Sequence, residues 1–89
     1  MPYYVYVIKS QTTGRMYVGH TEDLSRRIHE HQSGEARYTR NRGPWDLLYA
    51  EQYATRGEAF RREHALKSGQ GRLWLKKLLS GRAVPPQAD

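Results

Sequence analysis

The chain of 89 residues contains no cysteine. No disulfide can hold it, and neither a Cys/His metal cluster nor a thiol nucleophile is available. No apolar run approaches the ~18 residues of a membrane span, which excludes a transmembrane helix. The N-terminus lacks the basic-then-apolar pattern of a secretion signal, so the expectation is a soluble, cytoplasmic protein. Acid is scarce: 9 Asp+Glu stand against 15 Lys+Arg, a net charge of +6. That balance favours a polyanion, nucleic acid first, although the same charge can serve solubility alone. The length suits one small domain, expected over residues 1–80, with a flexible tail over 81–89. Its core must be thin, and packing alone has to hold it.

What the chain does have is tyrosine, seven in all. Tyr3 to Ile8 is an unbroken aromatic and β-branched run, the composition of a buried strand. Gln11-Thr12-Thr13-Gly14 reads as a turn, and Arg15–His20 resumes β character, so the two runs form a hairpin whose register stays open. Thr21 offers an N-cap for a helix reaching about Gln32 and stopping at Ser33-Gly34, with Leu24 and Ile28 as its apolar stripe. Glu35–Pro44 is a polar, basic loop. Trp45–Tyr53 reads as a third strand, and Thr55-x-x-Glu58 is a capping box for a helix reaching about Lys67. Ser68-Gly69-Gln70-Gly71 breaks the pattern before a last short helix over Arg72–Leu79. The order ββαβαα predicts an α+β fold: a small three-stranded mixed or antiparallel sheet flanked by three helices.

Several positions look wrong for folding alone. On the second helix Ala59, Phe60 and Leu66 mark an apolar stripe, and Glu63 falls in its middle. A carboxylate facing a core is costly unless it is paired with a cation or aimed into a site. Arg27 and His31 lie four apart, so a guanidinium and an imidazole share a face beside the sheet. Arg27 equally suits a solvated pair with Arg26, and His31 equally suits a favourable helix C-terminus. Side by side they suit a phosphate oxyanion. Tyr4, Tyr6 and Ile8 share one strand face, with Tyr17 on the partner strand; each phenol is ordinary core unless its hydroxyl reaches cations. Arg37, Tyr38, Thr39, Arg40 and Arg42 interleave cations, an aromatic ring and a hydroxyl, a pattern for contacting a phosphate backbone or for a solvated loop. Lys76 and Lys77 read as a polar helix face.

The ordered set Tyr4-Val5-Tyr6, Tyr17-Val18-Gly19, Arg27, His31 and Glu63 resembles the GIY-YIG nuclease family, in its small single-domain bacterial branch. The likeness runs from Tyr3 to Leu79 and takes in Arg37-Tyr38-Thr39-Arg40, Gly43-Pro44 and Arg62 to Lys67. Two departures stand out: Tyr4 occupies the place of the eponymous Gly, and the only Asn is Asn41, in the basic loop, where many members carry one late in the domain. The resemblance implies a GIY-YIG endonuclease-like fold that hydrolyses phosphodiesters with one divalent metal, Mg²⁺ or Mn²⁺ in its place. It implies Tyr17 as the general base or water-positioning group and Tyr6 as its hydroxyl partner. Arg27 would stabilise the phosphate in the transition state, His31 would activate the nucleophile or orient the phosphate, and Glu63 would hold the metal. Nucleic acid, DNA ahead of RNA, is the expected partner, contacted by Arg37, Tyr38, Thr39, Arg40, Arg42 and Lys67. No organic cofactor and no membrane are expected. The rival readings are a non-catalytic nucleic-acid-binding module and a protein-interaction domain in a repair complex.

Overall fold

Each expected element forms, and the differences are confined to its ends. The computed structural model describes residues 2–34 and 42–83, the side chains of 80–83 excepted. Strands β1 (Tyr3–Ser10), β2 (Met16–Thr21) and β3 (Trp45–Tyr53) form one sheet in the order β2-β1-β3. Both pairings are antiparallel, which resolves the mixed alternative. Helices α1 (Leu24–Ser33), α2 (Arg56–Lys67) and α3 (Gly69–Ala83) cover the sheet.

The central place of β1 explains its unbroken apolar run. Val5 and Val7 pack with Ala59, Leu66 and Leu75 on one face. Tyr6 and Ile8 pack with Trp45, Leu24 and Ile28 on the other. A strand buried on both faces has no solvent side to alternate towards. In the β1–β2 register Tyr6 stands opposite Gly19 and Ile8 opposite Tyr17, so Tyr17 joins the α1 face while Val18 and His20 belong to the α2 face. Gln32 ties the end of α1 to β3, accepting from the Trp45 N–H at 2.8 Å and donating to its carbonyl at 2.5 Å.

Helix α2 is fastened to β3 by a polar network. Glu51 accepts hydrogen bonds from Arg62 at 2.8 and 2.9 Å, from the Tyr53 hydroxyl at 2.6 Å and from the Tyr49 hydroxyl. Burial alone would raise this carboxyl, but the four donated hydrogens outweigh it and hold the group down at about 2. The capping box at Thr55 and Glu58 forms as expected.

The α1 cap is Asp23, not Thr21. The Asp23 carboxylate accepts from the Arg26 N–H at 3.1 Å, while Thr21 closes β2 and its hydroxyl accepts from the Asp23 N–H at 3.1 Å. Phe60 is not core: it is 49 % exposed, and the buried stripe of α2 is Ala59, Glu63 and Leu66. The expected break over Ser68–Gly71 shrinks to Ser68, and α3 begins at Gly69 and runs past Leu79 to Ala83. Gly71 is a packing glycine. A Cβ there would sit 2.1 Å from the Ala65 carbonyl oxygen, so only glycine lets α3 approach α2 so closely.

Candidate active site

Four of the five matched polar residues meet on the α1 face of the hairpin. The Tyr6 hydroxyl lies 2.8 Å from Nε2 of His31, and both side chains are 1 % exposed. The Arg27 guanidinium donates to Glu30 at 2.8 Å and lies near enough to the Tyr6 hydroxyl for its charge to act on the phenol. Tyr17 stands edge-on to the His31 ring, centroids 5.1 Å apart, and 6.4 Å from the Tyr6 ring. Arg27 is thus both a surface partner and a site residue: its bond to Glu30 aims the guanidinium towards the phenol.

The proton positions are assigned with the Tyr6 O–H donating to Nε2 of His31, which leaves the lone pairs of the phenol oxygen to the nearby Arg27 charge, a group with donors only. Burial, helped by the Arg27 charge, pulls the His31 imidazole down to about 4. It is therefore neutral at pH 7, with its hydrogen on Nδ1. Burial and the neighbouring Tyr17 push Tyr6 up to about 12, with Arg27 opposing only part of the rise. Tyr6 is a neutral hydrogen-bond donor at physiological pH, not a base.

Gly19 makes room for this arrangement. A Cβ at position 19 would lie 2.6 Å from the Tyr6 hydroxyl oxygen and 3.1 Å from the Tyr17 ring. The phenol of the central strand rests directly on the backbone of its neighbour. The glycine of Tyr17-Val18-Gly19 is there for close approach and not for an unusual backbone angle.

Glu63 comes from the α2 face and is 9 % exposed. Its carboxylate accepts from Nδ1 of His20 and, at 2.5 Å, from the Lys67 ammonium. Burial alone would raise the carboxyl, and these two donors overturn that and hold it below the usual carboxylate range. Lys67 in turn lies 6.0 Å from the centre of the Tyr17 ring, so it links the acid to the phenols around the β2 edge. Sequence reasoning missed His20, and it has Gly19 only as a motif residue, without its contact with Tyr6. The signal for both is the hairpin register, which puts position 19 opposite Tyr6 and turns position 20 towards α2.

Among the described residues no group of three or more His, Asp or Glu is placed to hold a metal ion. The donors present therefore do not fit an all-protein cage. They do fit an open Mg²⁺ site, in which one carboxylate is supplemented by waters and substrate oxygens. Of the expected nucleic-acid contacts, Lys67 stands at the site. Arg42 is exposed, and its carbonyl accepts from Ser10 and Thr12. Arg37, Tyr38, Thr39 and Arg40 lie outside the described residues, as does Asn41.

No helix of the described chain is long and apolar enough to cross a membrane. The GIY-YIG catalytic domain description matches residues 2–77. The chain is 35 % identical over 80 residues to a UPF0213 protein of Staphylococcus saprophyticus, covering 89 % of this chain and 96 % of that one. It is 43 % identical over 67 residues to a UPF0213 protein of Haloquadratum walsbyi, covering 74 % of each. The solution NMR structure of a UPF0213 protein from Bacillus halodurans superposes with a TM-score of 0.54 at 38 % identity, over 88 % of this chain and 85 % of that one. Close neighbours in sequence and a solved fold agree with the residue pattern, and the chain belongs to the GIY-YIG family of nuclease domains.

Proposed function

We propose that this protein is a cytoplasmic, Mg²⁺-dependent endonuclease that hydrolyses phosphodiester bonds in nucleic acid, DNA ahead of RNA. The observation that supports it most is the continuous polar array Arg27–Tyr6–His31 with Tyr17 beside it, on one face of a hairpin whose glycine leaves it space. Such an array has no purpose in a thin core, where apolar residues would pack at lower cost.

In this reading the scissile phosphate lies against Arg27, whose guanidinium meets two of its oxygens and neutralises the charge that grows on them. Tyr17 orients the attacking water through its hydroxyl, or acts as the general base once its own proton has been passed to solvent. Tyr6 and neutral His31 hold the phenol and phosphate in register through their shared hydrogen bond. Glu63 is the protein ligand of the ion, which when bound supplies charge neutralisation at the leaving oxygen. Lys67, the counterion of Glu63 in the free protein, would be available to pair with the phosphate where an ion takes its place at Glu63.

The test is a cleavage assay on labelled DNA and RNA of several structures, with and without Mg²⁺ or Mn²⁺. Arg27→Ala and Glu63→Gln are each expected to lower the rate by about 10²- to 10³-fold, with circular dichroism unchanged. A wild-type rate in either variant refutes the assignment. One observation favours a second reading, a binding module without hydrolysis: Glu63 is already neutralised on both oxygens, by His20 and Lys67. That reading predicts salt-dependent binding, no cleavage with either metal, and indifference to Glu63→Gln.

A further inference from the structure

A cleft of about 760 Å³ opens along the β2 edge, where the start of that strand meets the end of α2 and the first turns of α3. Four cations line it, Arg15, Lys67, Arg72 and Lys76, and no acid does. Lys67 is taken by Glu63, but among the described residues Arg15, Arg72 and Lys76 have no carboxylate partner. Arg72 and Lys76 are four apart on α3, so they face the cleft together as a like-charge pair, an arrangement that weakens a helix. Folding gains nothing from it. Beneath the cations lie apolar side chains, and Met16, 40 % exposed, stands at the mouth beside Tyr17.

Tyr17 belongs both to this cleft and to the Tyr6–His31 array. Whatever occupies the array can continue into the cleft without leaving the protein surface. Cations spread over three elements above an apolar floor suit a ligand with several separated anionic groups and flat apolar parts between them. A single small anion would leave most of the cleft unused.

We propose that this cleft carries the nucleic-acid strand away from the scissile phosphate: Arg15, Arg72 and Lys76 contact successive backbone phosphates, and a base rests against Met16. The proposal rests on the phosphodiesterase reading of the site and adds to it a sequence-independent contact surface beside Tyr17. It also gives Lys76 a role other than the solvated helix face that its sequence suggests.

The experiment is fluorescence anisotropy of a labelled DNA duplex and a labelled single strand, measured over a series of KCl concentrations in Ca²⁺ to prevent cleavage. Each phosphate contact contributes about 0.9 to the slope of log K against log salt for duplex and about 0.7 for single strands. The triple variant Arg15→Ala/Arg72→Ala/Lys76→Ala is therefore expected to flatten the slope by about 2 to 3. Its KM for cleavage rises by about tenfold or more, while kcat stays within twofold. The double variant Arg72→Ala/Lys76→Ala flattens the slope by about two-thirds as much. Lys77→Ala, one step round the same helix, leaves it unchanged. If the triple variant is folded and keeps the wild-type slope while the wild type cleaves, the cleft lies off the strand's path and the inference falls alone. If AMP displaces the probe as readily as unlabelled DNA, the cleft is a mononucleotide pocket and the strand assignment falls. If the wild type binds no nucleic acid at any salt concentration, the proposed function falls as well.

Discussion

Lowering the pH from 7 to 5 should destabilise this protein through one residue, His31. Its ring is 1 % exposed, accepts from the Tyr6 hydroxyl and lies near the Arg27 charge. Burial, then Arg27, lowers the imidazole from 6.5 to about 4 in the folded state. The unfolded chain takes up a proton below 6.5, and the native state does not until about 4. Stability is therefore complete above 6.5 and drains away as the pH falls between those two values. The whole shift amounts to about 3 kcal/mol at about 1.4 kcal/mol per unit, and roughly 2 kcal/mol of it is lost between pH 7 and pH 5. The carboxylates with lowered values, Glu30, Glu51 and Glu63, mostly act below that window. Urea denaturation at both pH values, on the wild type and on His31→Gln, isolates the effect: the wild type should lose about 2 kcal/mol more than the variant. In parallel, the His31 Cε1–H resonance should stay flat from pH 7 to 5. Equal losses in the two proteins, or a His31 resonance titrating with a midpoint above 5.5, would refute the neutral buried imidazole and with it the assigned direction of the Tyr6 hydrogen bond.

Two further outcomes follow from packing and charge. Gly19→Ala places a Cβ 2.6 Å from the Tyr6 hydroxyl oxygen, so the phenol must leave His31. The expected cost is about 1–3 kcal/mol in thermal or urea unfolding, together with a cleavage rate reduced well beyond the loss of folded protein. Wild-type values for both would show that the hydroxyl can move freely. Glu51→Gln leaves Arg62 without its carboxylate and should cost about 2 kcal/mol in urea unfolding. Because β3 and β2 are opposite edges of the sheet, the rate per folded molecule should not change. Glu51 is held at about 2 in the folded state, below its unfolded value, so its contribution is present above pH ~4.3 and lost as the pH falls towards 2. The acid sensitivity of the wild type in that range should be smaller in the variant.

Local chemistry made most of the fold legible. The Thr55/Glu58 capping box, the apolar β1 run and the bounds of β3 could be read because each depends on neighbouring residues alone. The failures share a cause. Phe60 carries the right period for the α2 stripe but lies at its margin, and only the packed partner decides which side is covered. Gly69 and Gly71 resemble helix breakers, whereas Gly71 is required by the approach of a second helix that no local pattern records. Thr21 and Asp23 are both competent caps, and β2 claims the former. The site was legible as residue types on expected faces. Its hydrogen bonds were not, because the pairing of Tyr6 with Gly19, and of His20 with Glu63, depends on a register that spans the turn.

In the proposed site, the salt bridges of Glu63 and its role as a metal ligand are not alternatives. A carboxylate 9 % exposed cannot persist unpaired, so a site that needs it in the free protein must supply a counterion. The two partners differ in kind. His20, on the sheet, fixes the orientation of the group through Nδ1. Lys67 reaches it from the next turn of the same helix, and its side chain is 45 % exposed. A long, half-solvated ammonium held by one bond can rotate away towards a phosphate at little cost, whereas an arginine gripping both oxygens, as Arg62 grips Glu51, must give up two bonds at once. The contrast between the Arg62–Glu51 pair, which ties α2 to β3, and the Lys67–Glu63 pair within α2 separates a structural clamp from a partner that an incoming anion could draw away. It places the exchangeable one beside Tyr17, where an incoming phosphate would offer the lysine an alternative charge.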